Sequence, residues 1–383
     1  MVRPPAVQHV LSIPARLDAS VTATGAGIGI AMIDSDFIVH PDIVQPSSRI
    51  RRYVDATTGT ESAMPPSEPS ARHWHGTMTA CTAAGNGYLS NGMYTSLAPE
   101  AHLVLIRTMH ENGRIPTETI VRALDWLKDH AREYQVRVVN ISVYADEIDQ
   151  STAHPVTQRV EQLTAMGIVV VAAAGNNSSA AIRPPASAPS AITVGGLDDN
   201  NSLFVDEARL YDSTFGITAL GIQKPDVIAP AIWLAAPLLP DTPEQRQAAA
   251  LCALDAVDDA MLTSCATALA EHTSLPNDIG DAADLREAVT KAIRASSIVS
   301  PHYKMVDGTS FAAPIVASIA AQLLSIDPSL SPVDVKHILM STARPLSGHA
   351  HTRQGSGVVQ QTEAVDIVVA GCGLPAVPCD VAS

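Results

Sequence analysis

Four side chains that stand far apart in the 383-residue sequence are of the types that acyl-transfer chemistry needs: Asp34, His75, Asn176 and Ser310. A serine hydroxyl is a weak nucleophile until a base removes its proton, and a histidine base needs a third group to fix its tautomer. An asparagine amide can donate a hydrogen bond to the negatively charged oxygen that develops in such reactions. Each residue alone also has an ordinary structural interpretation, since aspartate and Gly-Asn pairs are common in turns and histidine often begins a helix.

The serine of this set, Ser310, lies at the predicted start of a buried helix. It follows Gly308, and apolar residues then recur at helical spacing among alanines, at Ile315, Ile319 and Leu323. Backbone N–H groups at a helix start are free to bind an anion, and the positive end of the helix dipole favours developing negative charge. The alternative is that Ser310 is an ordinary N-cap, a position that serine prefers.

Short apolar runs alternate with helical patterns along most of the chain. The predicted strands are residues 27–33, 102–107, 136–143, 168–174 and 192–195, and the predicted helices are 78–84, 118–132 and 156–166. This alternation predicts an α/β fold with a doubly wound, mostly parallel sheet and helices on both faces. Asp34 then lies at the carboxyl end of the first strand, which is the end where parallel sheets build their sites.

The composition limits the function classes. Hydrophobic residues make up 46% of the chain, enough for a large core, and the formal net charge of −15 argues against a nucleic-acid-binding surface. No apolar run is judged long enough to cross a bilayer, so no membrane partner is expected. The first 23 residues do not read as a secretion signal, which mildly favours the cytoplasm, with a secreted mature form as the alternative.

Residues 241–300 differ from the rest of the chain in composition, being rich in alanine and leucine, and are predicted to be a helical insertion. Residues 245–271 contain neither Gly nor Pro and predict one long helix with an apolar face on the core and an acidic face in solvent, and residues 284–296 predict a second helix. Along one unbroken helix, Cys252 and Cys265 would lie about 20 Å apart at about 1.5 Å per residue, too far to bond. Pairing with Cys372 or Cys379 stays open.

Cys81, in an alanine-rich helical stretch, is predicted to be a free, buried thiol.

Six segments in order resemble the motifs of the subtilisin-like serine proteases, or subtilases. They are residues 27–35 (GIGIAMIDS), 40–42 (HPD), 75–77 (HGT), 172–176 (AAAGN), 224–230 (KPDVIAP) and 308–314 (GTSFAAP). The resemblance runs from about residue 25 to 369 around the insertion, and it implies a serine endopeptidase domain over residues 25–383. In the order of the family's triad, it implies that Ser310 attacks the peptide carbonyl, His75 transfers the proton and Asp34 orients His75. It further implies that Asn176 and the Ser310 N–H hold the oxyanion.

The resemblance also identifies a substrate-binding edge, Ser142, Val143 and Tyr144, together with Gly175. Tyr144 stands where the family tends to have glycine, which implies an altered cleft. Arg183 aligns with a small residue at the floor of the specificity pocket. A guanidinium there predicts a preference for Asp or Glu before the scissile bond, because it can pair with a carboxylate.

Asp36 is a further departure, since the family usually has glycine at this position. The chain is expected to turn after Ser35, so that Asp36 faces solvent. The rival hypothesis is a catalytically silent, peptide-binding member of the family, in which the changes at Asp36 and Tyr144 disable turnover.

Residues 1–24 are too few for the inhibitory prodomain common in the family. They are interpreted as a solvated extension, with a segment lying across the cleft, where Pro14 would resist cleavage, as the alternative. No cofactor is expected to be required. Because calcium often stabilises this family, Asp42 and the loop 86–96 are candidates for a structural calcium ion, and the ligands stay open. The expected partner is a protein or peptide substrate, and the oligomeric state is open.

Overall fold

The computed structural model describes residues 9–19, 22–145, 151–204, 207–275 and 281–371. The strands in these residues are β1 (Gly29–Asp34), β2 (Ile50–Asp55), β3 (Thr60–Ser62), β4 (His102–Arg107), β5 (Val136–Ile141), β6 (Val169–Ala173), β7 (Ile192–Asp198), β8 (Arg209–Leu210), β9 (Gly216–Ile217), β10 (Gln223–Lys224), β11 (Val227–Pro230), β12 (Leu234–Pro237), β13 (Ile298–Ser300) and β14 (Tyr303–Val306). The helices are α1 (Ile13–Arg16), α2 (Pro41–Val44), α3 (Trp74–Ala84), α4 (Thr117–His130), α5 (Pro155–Ala165), α6 (Pro243–Ala256), α7 (Asp259–Ala268), α8 (Ala282–Ala295), α9 (Thr309–Ile326), α10 (Pro332–Thr342), α11 (His351–Gln354) and α12 (Gln361–Val369).

The central sheet has the strand order β11-β7-β6-β5-β1-β4-β2-β3, with β8 paired to β7. Its central pairs, from β11 across to β2, are parallel, and the outer pairs β2–β3 and β7–β8 are antiparallel. The chain leaves the central strand β1 towards one edge of the sheet and later returns to build the other edge. Right-handed crossovers in the two directions place the connecting helices on opposite faces of the sheet. The predicted doubly wound α/β fold is confirmed.

Side chains of β1 alternate between two cores. Ile30 and Met32 join the core beneath α3 and α9, whereas Ala31 and Ile33 join the core beneath α4 and α5. This alternation follows from the two-residue period of a strand, and burial on both faces explains why β1 is apolar along its length. Asp34, the first charged residue of the strand, therefore lies at the edge where the apolar layer ends.

Helix α9 lies in the middle of the first core. It is long and apolar enough to cross a membrane by length and composition, contrary to the expectation that no segment would be, and 83% of it is buried inside the protein. It packs on β5, β6 and β7 and against α3. Burial on nearly all sides explains its apolar composition.

The insertion is helical, but the prediction of one helix over residues 245–271 is wrong. Helix α6 ends at Ala256, the backbone is extended at Val257 and Asp258, and α7 then begins. Arg286 of α8 compensates for the break, because its guanidinium donates to the carbonyls of Leu254 and Val257 at 2.7 and 2.5 Å. The distance calculated for Cys252 and Cys265 along one unbroken helix therefore no longer applies. Both thiols are free within the described residues, and Cys372 and Cys379 lie outside them. The helix predicted at 284–296 is α8.

The three long helices of the insertion share a small core of their own. It includes Leu251, Leu262 and Val289, and it is completed by Leu238 and Ile298 at the base of the insertion. Acidic residues lie on the outside of this unit, as expected: Asp258, Asp259 and Glu271 are exposed. The apolar face packs within the insertion itself more than on the central core.

The N-terminal extension is not a solvated tail over its described residues 9–19. Val10, Ile13 and Leu17 are buried. Arg16 forms a buried ion pair with Asp199 at 2.6 Å, and burial lowers the Arg16 pKa although this partner opposes the shift. A buried ion pair requires neighbouring hydrogen bonds to offset desolvation, and the Arg16 guanidinium also donates to backbone carbonyls.

Candidate active site

The four candidate residues meet at the carboxyl edge of the sheet. Asp34 is the last residue of β1, Asn176 follows β6 through Gly175, and Ser142 follows β5. His75 and Ser310 are each the second residue of their helices, α3 and α9. The sheet thus brings together residues that are up to 276 positions apart in sequence, the difference between 310 and 34.

The imidazole of His75 is held by a buried carboxylate. Nδ1 of His75 lies 2.6 Å from Oδ1 of Asp34, and the other carboxylate oxygen accepts from the Thr79 hydroxyl at 2.9 Å. Burial lowers the pKa of His75, but the charge of Asp34 and the hydrogen bond to it outweigh burial and raise this pKa above its ordinary value. With the proton on Nδ1, Nε2 carries the lone pair and can act as a base.

The glycine after this histidine is required by close packing. A Cβ at Gly76 would lie 2.3 Å from the carbonyl oxygen of Asp36 and 3.2 Å from Cβ of Asp34. Any side chain there would push α3 away from the end of β1 and lengthen the contact between His75 and Asp34.

The hydroxyl of Ser310 is only weakly engaged. It donates to the carbonyl oxygen of Ser142 at 3.4 Å, near the upper limit for a hydrogen bond, so rotation towards another acceptor is inexpensive. The Ser142 hydroxyl donates in turn to the Ser310 carbonyl at 3.0 Å and accepts from Asn140 at 2.9 Å. These bonds fasten the start of α9 to the end of β5. Ser310 and His75 line the same cavity, of about 540 Å³.

The amide of Asn176 has a fixed orientation. Its Oδ1 accepts from both the backbone N–H and the hydroxyl of Thr309, each at 2.8 Å, and the Thr309 hydroxyl accepts from the N–H of Gly175 at 3.1 Å. Because Oδ1 is occupied, the N–H₂ group points away from Thr309. Gly308 has φ of +127°, and a Cβ there would approach Nδ2 of Asn176 to 3.2 Å, so glycine suits this turn on both counts.

The predicted substrate edge forms one wall of the same cavity. Ser142, Val143 and Tyr144 line it, and the Tyr144 ring is exposed. The guanidinium carbon of Arg183 lies 5.3 Å from the centre of that ring, a cation–π contact. The N–H of Ala145 also donates to the carbonyl of Pro184 at 3.0 Å, which joins the two segments. Arg183 does not itself line the cavity, but it contacts Tyr144, which does.

The same cavity is also lined by residues that the sequence analysis did not identify. They are Arg72, Trp74, Met109, Arg114 and Ile115. Trp74 precedes the predicted histidine and is 44% exposed, so a large aromatic ring beside His75 was the available signal. The others lie in loops whose positions depend on long-range contacts.

Asp36 does not face solvent, and that expectation is wrong. It is 1% exposed and accepts hydrogen bonds from Phe37 N–H and the Tyr53 hydroxyl, both at 2.8 Å. Its other oxygen lies 3.3 Å from Arg107 and 3.4 Å from His73. Burial raises the Asp36 pKa, but these hydrogen bonds and the charge of Arg107 outweigh burial and lower it. Asp36 is thus held in its buried position by a dedicated set of donors and a cation.

The side chains next to Asp42 are not the ligands that calcium prefers. Asp42 is buried, and its carboxylate accepts from the Tyr303 hydroxyl at 2.5 Å. Its neighbours are the imidazole of His40 and the thiol of Cys81, and the ligand atoms of the three side chains lie within 4.8 Å of one another. Calcium prefers oxygen ligands over an imidazole and a thiol, and calcium binding at the loop 86–96 stays a prediction.

A parallel α/β sheet that brings a serine, a histidine and a buried aspartate to its carboxyl edge is typical of serine hydrolases. The family model of the subtilases matches residues 25–357, and the chain belongs to the subtilase family. Family and relatives together place it among the subtilisin-like serine endopeptidases.

Two relatives and two solved structures illustrate the similarity. Serine protease AprX of Bacillus subtilis (strain 168) is 28% identical over 352 residues, which span 90% of this chain and 67% of AprX. Subtilisin BL of Lederbergia lenta is 27% identical over 182 residues, spanning 47% of this chain and 59% of that protein. The CspB protease of Clostridium perfringens has a TM-score of 0.68 at 14% identity, covering 94% of this chain and 97% of that one. Fervidolysin of Fervidobacterium pennivorans has a TM-score of 0.63 at 19% identity, covering 93% of this chain and 45% of that one.

Proposed function

We propose that this chain hydrolyses peptide bonds through Ser310, His75 and Asp34. His75 Nε2 takes the proton of the Ser310 hydroxyl as its oxygen attacks the peptide carbonyl, and the imidazolium then gives this proton to the leaving amine. Asp34 keeps His75 in the correct tautomer and stabilises its charged form. Water repeats the sequence in the second half of the reaction and releases the acyl group from Ser310.

The observation that carries this proposal is the 2.6 Å contact between His75 Nδ1 and Asp34 Oδ1, beside a serine in the same cavity. The raised pKa of His75 is what a base needs that must accept a proton during the reaction. Ser310 is 3.4 Å from its present acceptor, so its hydroxyl can turn to Nε2 when a substrate excludes water.

We assign oxyanion stabilisation to the Asn176 amide and the Ser310 backbone N–H. The contacts from Thr309 support this assignment, because they hold the amide with its donor group turned away from Thr309. Replacing Asn176 by alanine should lower kcat by about 100- to 1000-fold, which is about 2.7–4 kcal/mol. Full activity of that variant would contradict the assignment.

The residue before the scissile bond is proposed to be acidic, with Arg183 as its partner. No carboxylate within the described residues forms an ion pair with Arg183, and its guanidinium stacks on Tyr144, which lines the cleft. A substrate carboxylate could pair with it in a bidentate manner while the ring of Tyr144 covers one face.

Labelling with a fluorophosphonate probe tests the nucleophile directly. The intact protein should be labelled, and Ser310→Ala should not. Asn176→Ala is a useful companion, since it should keep the serine but react more slowly. A folded intact protein that takes up no probe would contradict the proposed function and favour the catalytically silent peptide binder. Circular dichroism of both variants checks that the fold is kept.

A further inference from the structure

A second group of reactive side chains lies buried outside the active site. His40 caps the start of α2, Asp42 belongs to α2, and Cys81 lies in α3. All three are at most 5% exposed, and their ligand atoms lie within 4.8 Å of one another. Imidazole, thiolate and carboxylate are the donors by which proteins bind zinc-type ions.

The spacing of the two softer donors matches a tetrahedral site. The Cys81 sulfur lies 3.7 Å from Nδ1 of His40. With Zn–S of about 2.3 Å and Zn–N of about 2.0–2.1 Å, two tetrahedral ligands lie about 3.6 Å apart. The same distance is a weak S–H···N hydrogen bond when no ion is bound, and the pair therefore needs little movement to accept one.

The surrounding contacts resemble the outer shell that orients metal ligands. Nε2 of His40 lies 3.3 Å from the carbonyl oxygen of Leu238, an acceptor that fixes the proton on Nε2 and leaves the lone pair on Nδ1. The two oxygens of Asp42 accept from the Tyr303 hydroxyl at 2.5 Å and from the N–H of Leu89 at 3.0 Å. One contact competes, because Nδ1 of His40 accepts from the N–H of Asp42 at 3.1 Å and an ion would replace that bond.

Charge favours a divalent cation once the thiol ionises. Burial and the charge of Asp42 raise the pKa of Cys81, so the site without an ion holds a thiol, whereas the nearby Arg49 favours the thiolate. Arg49 is fixed by hydrogen bonds to the carbonyls of Asp42 and Ala84. An entering ion displaces the thiol proton to solvent, and the thiolate and the carboxylate of Asp42 then balance its two charges.

We propose that His40, Asp42 and Cys81 bind one thiophilic divalent cation of the zinc type, with water as the fourth ligand. The ion joins α3, which carries His75, to α2, and it is linked to β14 through the hydrogen bond between Tyr303 and Asp42. The bound ion stabilises the elements that carry the active site. This proposal does not depend on which residues are catalytic.

Cobalt(II) provides the test, because a thiolate ligand gives it a strong near-ultraviolet absorption that nitrogen and oxygen ligands alone do not. The protein carries Ser310→Ala to prevent self-digestion and is kept reduced with a phosphine. One equivalent of Co²⁺ should produce the thiolate absorption, and Zn²⁺ should displace it. Either ion should raise the melting temperature, and a 100-fold excess of Ca²⁺ should do neither.

Two matched variants locate the ion. In a protein with Cys252→Ser, Cys265→Ser, Cys372→Ser and Cys379→Ser, the thiolate absorption should be unchanged, since Cys81 is then the one thiol. Cys81→Ser alone should abolish the absorption and weaken Zn²⁺ binding by more than about 100-fold, above the effect expected for an outer-shell change.

His40→Gln tests the same site without removing the thiol. Its amide can still reach the carbonyl of Leu238 but lacks the second nitrogen, so Zn²⁺ binding should weaken as it does in Cys81→Ser. Absence of binding to the intact protein, binding without a thiolate absorption, or an absorption that persists in Cys81→Ser would overturn the proposal. Metal bound only at His75 and Asp34 would give binding without a thiolate absorption, and it would therefore also overturn the proposal.

Discussion

Replacing Asp36 should destabilise the protein strongly, because this carboxylate joins three elements around the end of β1. It accepts from the Tyr53 hydroxyl of β2 and lies within ion-pair distance of Arg107, at the end of β4, and of His73, at the start of α3. Asp36→Ala leaves these donors buried without their acceptor. Asp36→Asn keeps the shape and one oxygen but removes the charge.

The expected magnitude follows from the burial of both partners. Removing one partner of a buried, hydrogen-bonded ion pair costs about 3–5 kcal/mol. Arg107 keeps Asp55 and Glu111 as partners at 3.2 and 2.7 Å, so Asp36→Ala should fall at the lower end of that range. Asp36→Asn should cost about 1.5–3 kcal/mol, the typical contribution of a hydrogen bond to a charged group.

The pH dependence gives a second, independent readout. The folded protein lowers the pKa of Asp36, so its stabilisation is present above the unfolded value of about 3.9 and is lost as the pH falls through the lower, folded value. The difference in unfolding free energy between the intact protein and Asp36→Asn should therefore be largest near pH 7. It should shrink in acid below about pH 4.

Urea unfolding in a Ser310→Ala background measures both effects without self-digestion. Tyr53→Phe completes a double-mutant cycle with Asp36→Asn, and the coupling energy should be about 0.5–3 kcal/mol for two groups in direct contact. A loss of less than about 1 kcal/mol in Asp36→Ala, or a loss that does not vary with pH, would refute this account.

Three further predictions concern catalysis, specificity and the insertion. The acidic limb of kcat/KM should lie above pH 6.5, because Asp34 raises the pKa of His75 and the base must be neutral; a limb below that pH would contradict the electrostatic argument. Peptides that differ only in the residue before the scissile bond should be cleaved faster with Glu than with Phe, and Arg183→Gly should reverse that order; Phe preferred by both proteins would exclude Arg183 as a specificity residue. Deleting residues 241–300 with a short linker should leave hydrolysis of small peptides largely intact while changing the cleavage of folded proteins or the oligomeric state, because the insertion has its own core; complete unfolding would show that it belongs to the main one.

The sequence predicted what depends on local pattern and missed what depends on distant partners. The strands are recognisable because their burial on two faces makes them apolar, and the end of β1 marks Asp34. Asp36 could not be understood in this way, since its partners Tyr53 and Arg107 are 17 and 71 positions away. The docking of Arg16 on Asp199 spans 183 positions. The break at Val257 depends on Arg286, which removes the penalty of leaving the last carbonyls of α6 without partners.

The hydrogen bonds of the proposed catalytic residues also explain why the insertion can be large without disturbing them. Asp34 accepts from the N–H of Ser35, just after β1, and contacts His75 of α3, and Asn176 and Ser142 are bonded to the start of α9. These contacts are made by elements of the central sheet and its two covering helices. The insertion begins after β12 and ends before β14. These two strands pair with each other from Leu234–Val306 to Pro237–Tyr303. A closed pair of strands at its base isolates the insertion from Ser310, because helical movement beyond that pair need not change the backbone at residues 307–310.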